Sequence, residues 1–503
     1  MKRTNYQFKT SAITLIIITI IWAGKLFAQN DADSFTDDIN GIKDQISGVD
    51  ERLKTFENDV SSLKKIKFSG YIQAQWEHFE NPSVYPANYF SVRRARLKAT
   101  YEPVTGVAFV LQPDFAPGNL SLKDAYAQVN EPWLKTFSLW MGQFNRTDYE
   151  VEYSSSKREM PERSRIIRAL YPGERALGFK LEASPQSVPL KVQIAMFNGN
   201  DFLTINDVDK KNDNPTNKDY DDFKDLMVRA TYQFRLGHFG SLDFGAHGYF
   251  GAIKATSTDL LDGEYKLDKT VKIGDRINKQ WYGLELQFYA DVLGGMAIKG
   301  EYILGKQAFV GASSSATQTI TQSALANDTL FVTTTTTTTT TVYPGIVRDF
   351  SGYYVYLIKN IGKKNQFAMR WDVYDPNTKL GSSDIGLSDH KYDNGSESES
   401  SNTVIEDNTS TTTVTRSVLK NTLGSGTDDI KYGTLSFAWH HYFNENIRVT
   451  LAYEMPFNEK VDKNSNGVGN VTKSYTVNGI AGKLDYSEVF PQNVLTLRIQ
   501  AKF

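Results

Sequence analysis

The residues best equipped for chemistry are two groups of basic side chains. The first is compact: Arg93, Arg94, Arg96 and Lys98, within YFSVRRARLKATYE. The second is spread through RTDYEVEYSSSKREMPERSRIIRALYPGER and holds Lys157, Arg158, Arg163, Arg165, Arg168 and Arg175 among Glu150, Glu152, Glu159, Glu162 and Glu174. A guanidinium is a planar fork of donors that grips phosphate or carboxylate at two points, so the chemistry on offer is anion recognition. The interleaved glutamates allow a competing arrangement, a solvated loop whose acids and bases pair with each other.

Catalysis has much less to build on. A nucleophile or a metal needs its base or its ligands gathered at one place. The six histidines are His78, His238, His247, His390, His440 and His441. His78 falls near one strand end, His238 in a short turn and His390 in a long loop. His440 and His441 are adjacent on a strand, so they face opposite sides and cannot share a metal or a proton. Neither HExxH nor GxSxG occurs, and with no cysteine there is no thiol or disulfide chemistry. The expectation is no catalytic residue, no metal and no cofactor.

What positions the basic groups is a pattern of period two that begins after Lys67. Candidate strands fall near 68–78, 89–102, 104–115, 120–131, 134–144, 176–183, 188–199, 223–235, 240–253, 276–292, 294–307, 349–361, 365–376, 432–444, 446–457 and 491–503. Short connections at 103–106, 132–133, 184–187, 236–239, 293–294, 362–364 and 444–446 alternate with others that are mostly long: 145–175, 200–222, 254–275, 308–348, 377–431 and 458–490. Short turns at one rim opposite long loops at the other are the mark of an outer-membrane barrel. The alternation agrees: Ile447, Val449, Leu451, Tyr453 and Met455 oppose Arg448, Thr450, Ala452 and Glu454. In NVLTLRIQAKF, Leu495, Leu497, Ile499, Ala501 and Phe503 share a face. Strands in lipid must pair every backbone group, so they close on themselves. The fold expected is all-β, a transmembrane antiparallel barrel of about sixteen strands over residues 68–503, too wide for wall side chains to fill.

In that barrel Leu97, Ala99 and Tyr101 meet lipid, which turns Arg94, Arg96 and Lys98 into the lumen. Arg93 then points outward unless a bulge shifts the register or a neighbouring protomer covers it. Elsewhere Lys180, Arg235, Lys299, Arg370 and Arg498 accompany Glu182, Asp243, Glu285, Glu301 and Asp372, a hydrated wall rather than a continuous basic ladder. A loop as long as 145–175 can fold inward as an eyelet. The unbroken Thr tract at 333–341 and GSESESS at 395–401 read as mobile external loops.

Composition fits. Aromatics reach 13 %, as interfacial girdles require, and the mean hydropathy of −0.42 reflects lumen residues cancelling lipid-facing ones. Residues 1–28, basic then apolar and ending LFA before Gln29, read as a secretory signal. Its removal lowers the formal charge of −2 by four, to about −6. A mildly acidic chain argues against nucleic acid as a partner.

Residues 29–67 carry a heptad seam, with Ile39, Ile46, Leu53 and Val60 at one position and Ile42, Val49, Phe56 and Leu63 at the other. So narrow a seam predicts a short N-terminal coiled-coil helix joining protomers in the periplasm, or an amphipathic helix against the barrel mouth. Its mixed residues do not choose two strands over three.

The chain resembles the phosphate-selective porin family of Gram-negative outer membranes in FSGYIQAQW, FSVRRARL, LKDAYAQVNEPW, FSLWMGQFN and ERSRIIRALYPGERALGF. The resemblance implies a homotrimer of sixteen-stranded barrels in the outer-membrane lipid, with an inward-folded third loop and arginines at the narrowest point. It matches Arg94 and Arg96 to the paired-arginine strand and Asp124 to the acid of the KDAY stretch. The function expected is passive diffusion of small hydrophilic solutes with a preference for anions such as phosphate. A non-selective diffusion pore and a scaffold or secretion-associated barrel are the alternatives.

Overall fold

Alternating apolar and polar residues resolve into sixteen antiparallel strands: β1 (Ile66–Phe79), β2 (Asn88–Val104), β3 (Val107–Asp114), β4 (Ser121–Asn130), β5 (Phe137–Asn145), β6 (Arg175–Ala183), β7 (Leu190–Phe197), β8 (Asp225–Arg235), β9 (Gly240–Lys254), β10 (Arg276–Ala290), β11 (Met296–Val310), β12 (Gly345–Ile361), β13 (Asn365–Asp375), β14 (Tyr432–Tyr442), β15 (Ile447–Asn458) and β16 (Val494–Lys502). The computed structural model describes residues 65–80, 88–116, 120–199 and 223–503, the last stretch with breaks of one to three residues at 256–257, 269, 293, 311–313, 327–328, 342–343, 407–408, 478–479 and 491. The leader and the heptad seam from Ile39 to Leu63 lie outside the described residues.

Each strand pairs with its neighbours in sequence, and β1 pairs with β16 from Tyr71↔Lys502 to Phe79↔Val494. Gly70 and Phe503 finish that seam by exchanging backbone hydrogen bonds of 3.1 and 3.0 Å. A closed sheet satisfies every strand from within, which a membrane interior demands. Along β10, Trp281, Glu285 and Gln287 are buried inside, while Tyr282, Leu284 and Leu286 are exposed on the outer face. Along β12, Tyr354 and Tyr356 turn in, and Val355 and Leu357 turn out. The outward residues form the band that meets hydrocarbon. Trp133, Phe137, Phe234, Phe239 and Phe443 stand exposed near the short-turn rim, where an aromatic girdle belongs.

The long loops depart from the expectation of shapeless segments. Leu261, Tyr265, Ile346, Leu380, Ile385, Ile430, Val461, Val471, Leu484 and Tyr486 bury one another in an apolar cluster at the long-loop rim. Asp429 ties it, bonding Tyr265 at 2.7 Å and Arg348 at 3.0 Å. The Thr tract is one arm of a hairpin, Ser314–Ala326 with Thr329–Thr341, and GSESESS lies in another, Lys391–Glu406 with Thr409–Gly424. Branching at the Thr Cβ favours extended backbone, which a low-complexity reading overlooks.

Candidate functional site

The third long loop, L3 (146–174), leaves β5 and returns to β6 through a neck closed by the Arg146 N–H donating to the Glu174 carbonyl at 3.1 Å. It contains two short helices, α1 (Tyr149–Glu152) and α2 (Arg165–Leu170). Asp148 caps α1, its carboxylate accepting the Val151 N–H at 3.2 Å. The rest is irregular backbone whose carbonyls need donors. Wall side chains supply them: Gln73 to Ser155 at 3.2 Å, Gln500 to Ser156 at 2.9 Å, Arg498 to Pro161 at 3.0 Å and Arg370 to Glu162 at 2.6 Å. These donors sit on β1, β16 and β13, so L3 lies within the cylinder and reaches the strands opposite its root.

The α2 half of L3 is packed. Ile166, Ile167 and Leu170 are buried in one cluster with Tyr171, Tyr249, Trp281, Phe350, Tyr354 and Tyr356. Tyr249 and Trp281 stack with centroids 3.8 Å apart, and the Trp281 indole donates to the Tyr171 hydroxyl at 3.0 Å. Arg165 belongs to this side, its guanidinium donating to Thr434 at 2.7 Å and lying over Tyr432.

The α1 half is ionic. Glu174 sits between Arg163 at 2.7 Å, Arg175 at 2.7 Å and Arg158 at 3.2 Å, and Arg175 also holds Asp124 at 3.0 Å. Burial opposes the Glu174 charge, but the three guanidiniums outweigh it and hold the carboxyl well below its ordinary range. Glu152 behaves alike: despite burial, Lys180, Arg229 and Lys191 hold it down to about 2. Asp148 is pushed the other way, first by burial and then by the charge of Glu301.

Of the basic groups read from sequence, Arg94 and Arg96 are buried inside the barrel, and Lys98 lines a cavity with Arg96. Arg96 pairs with Asp114 at 2.8 Å, and Arg94 donates to Gln73 at 2.9 Å. Arg93 resolves the open question of its direction: it holds Glu162 of L3 at 2.8 and 3.0 Å, so two successive arginines reach the same loop carboxylate, Arg94 at 3.9 Å. Arg158, Arg163, Arg175 and Asp124 join this assembly. Lys157 and Arg168 are exposed and Arg165 faces the packed side, so these three stand apart from it.

Open space follows the ionic side. A cavity of about 400 Å³ near the long-loop rim is bordered by Glu77, Arg93, Asp114 and Lys123. Next comes one of about 390 Å³ between Arg96, Lys98, Asp124, Arg163, Arg175 and Lys180. A third of about 500 Å³ shares Glu152, Tyr153 and Lys191 with it and opens toward the short turn at 184–189. Sequence reasoning missed Lys123, which borders the first cavity, and the wall glutamines Gln73 and Gln500. Gln73 and Gln500 were readable as inward polar positions on β1 and β16, whereas alternation places Lys123 on the face opposite Asp124 and a register shift in the β3–β4 pairing falls at that residue. Nothing in the chain says that a loop will come to meet them.

Comparison with known proteins bears on this architecture. A family model described as phosphate-selective porin O and P matches residues 65–331, more than half of the chain. Among solved structures, the high-pH form of OprB from Pseudomonas putida is similar in fold, at 8% identity over 88% of this chain and 96% of that one, with a TM-score of 0.51. An anion-selective porin from Comamonas acidovorans is matched at 10% identity over 87% and 99%, with a TM-score of 0.46. OmpT of Vibrio cholerae is matched at 11% identity over 87% and 97%, with a TM-score of 0.43. No curated protein matches the chain in sequence.

Proposed function

The chain belongs to the phosphate-selective porin O and P family and is an outer-membrane porin, and from that premise we propose that its pore prefers small anions of the phosphate type, with L3 as the constriction. The observation that carries the reading is Lys98 beside the middle cavity and Lys123 beside the outer one. Neither has an ion-pair partner among the described residues, whereas the L3 arginines around them are paired. A charge lining the narrow part of a pore selects by sign, and an unneutralised ammonium attracts the passing anion.

The route runs down the β1–β7 side of the lumen. An anion entering from outside meets Arg93 and Lys123, then Arg94, Arg96 and Lys98, and leaves past Lys180 and Lys191. Arg158, Arg163 and Arg175 act chiefly by holding L3 in place, since Glu174 neutralises much of their field. Asp124 orients Arg175. Arg165, Arg168 and Lys157 contribute at most a diffuse positive potential.

Reversal potentials across planar bilayers under a potassium phosphate gradient test the reading. Wild type is expected to favour phosphate, and the Lys98→Ala, Lys123→Ala double variant to lose most of that preference. A cation preference in wild type would end the anion claim. The pairing of Glu174 and Glu162 with arginine favours a second reading, a general diffusion pore, under which the double variant leaves the reversal potential unchanged.

We further propose that the heptad seam joins three chains in the periplasm. Deleting residues 31–66 then abolishes the trimer in light scattering while single-channel conductance persists. A trimer that survives the deletion excludes that role.

A further inference from the structure

Beneath the first turn of L3, three side chains that are distant in sequence come together with polar atoms to spare. Asp148 lies in L3, His247 on β9 and Glu301 on β11, all buried, with one possible ligand atom from each lying within 4.8 Å of the others. His247 Nδ1 and Glu301 Oε1 are 3.2 Å apart, yet no hydrogen bond links them. Both ring nitrogens of His247, Glu301 Oε1 and Asp148 Oδ2 are without a hydrogen-bond partner among the described residues.

Each carboxylate spends its other oxygen on a donor. Asp148 Oδ1 accepts the Val151 N–H, and Glu301 Oε2 accepts the Tyr354 hydroxyl at 2.8 Å. One oxygen anchored from behind and one aimed at a common point is how outer hydrogen bonds orient metal ligands. The backbone makes room as well, since a Cβ at Gly283 would overlap the His247 ring. Gly283 thus leaves the imidazole the space it occupies against β10.

Charge points the same way. Two buried carboxylates with no cation between them are costly unless paired, protonated or bound to metal. Arg229, the guanidinium whose charge bears on both carboxylates, is already engaged by Glu285 at 2.7 Å and Glu152 at 3.0 Å.

We propose that Asp148, His247 and Glu301 bind a divalent transition-metal ion, zinc being the best match, which fastens L3 to β9 and β11. One imidazole with two carboxylates is a donor set that zinc accepts, a water completing four-coordination. The 3.2 Å between His247 Nδ1 and Glu301 Oε1 matches two ligands of one tetrahedral zinc, roughly 3.3 Å apart for bonds of about 2.0 Å. Binding draws Asp148 in over the remaining distance and locks the start of α1.

The test uses the full-length porin purified without chelators. Metal content by plasma mass spectrometry, after incubation with zinc and dialysis, is expected near one zinc per chain. It should fall at least tenfold in His247→Gln and in Asp148→Asn. Cobalt(II) in place of zinc should give the intense visible bands of a tetrahedral site. Chelator treatment of wild type should expose L3 to trypsin, and zinc should restore resistance, a readout that survives if the variants fail to fold. A wild type that retains no zinc, or retains as much as His247→Gln, overturns the proposal. So does chelation that leaves L3 equally resistant, as protons shared among the three groups would produce.

Discussion

The two sides of the lumen solve the same problem with different physics. On the side of β10, β12 and β13, α2 fills the interior with Ile166, Ile167 and Leu170 against aromatic rings, as the core of a soluble protein would. On the side of β1–β7, the same loop meets the wall through guanidinium and carboxylate groups and leaves room between them. Apolar packing excludes water and fixes position without direction. Ion pairs fix direction and tolerate gaps that water and solute can enter. One loop thereby packs apolar side chains into one side of the lumen and leaves cavities along the other.

The contrast breaks hardest at Glu174. Glu174→Ala strands the buried Arg158 and Arg163 guanidiniums and leaves Arg175 with Asp124 alone, at a cost of about 3–5 kcal/mol in loop docking. The expected outcome is faster L3 proteolysis, together with a reversal potential moved toward anions. On the packed side, Leu170→Ala should cost about 3 kcal/mol by leaving a cavity. It should raise conductance and its noise as α2 loosens, with little change in ion preference. A selectivity change there as large as at Glu174 would erase the distinction between the two sides.

Acid probes the ionic side through Glu152. The Glu152 carboxyl, held down to about 2 in the folded chain against an ordinary value of about 4.3, favours the docked loop above pH ~4.3. That contribution fades as the pH falls from there toward 2, so L3 protection in hydrogen exchange should decline over that window. Leu170→Ala and wild type should lose the same increment. Smallest in stability is Lys98→Gln, expected within about 0.5 kcal/mol of wild type because Lys98 has no ion-pair partner to strand among the described residues. Its effect belongs in the reversal potential, and a thermal shift without one would remove Lys98 from the conduction path.

The barrel was legible because its period is local. Strand positions read from alternation fall within a few residues of β1–β16, and the short turns mark one rim unambiguously. The basic cluster was legible in part. Arg94 and Arg96 announce their direction by alternation with Leu97 and Ala99, whereas Arg93 breaks that rule to reach Glu162, a contact between residues far apart in the chain. Which arginine neutralises which glutamate in L3 depends on how the loop folds, and spacing carries no record of it. The cluster of Leu261, Ile385, Ile430 and Val471 escaped notice for a similar reason. Those residues lie in separate loops without a period, so only their meeting reveals them.

L3 grips β1, β13 and β16 at points far from its own root, which makes it a strut across the lumen. A hollow tube flattens readily under sideways load, but a braced one must first snap its crosspiece. Under the proposed reading, swelling or thinning of the surrounding bilayer should therefore leave the aperture's width nearly constant.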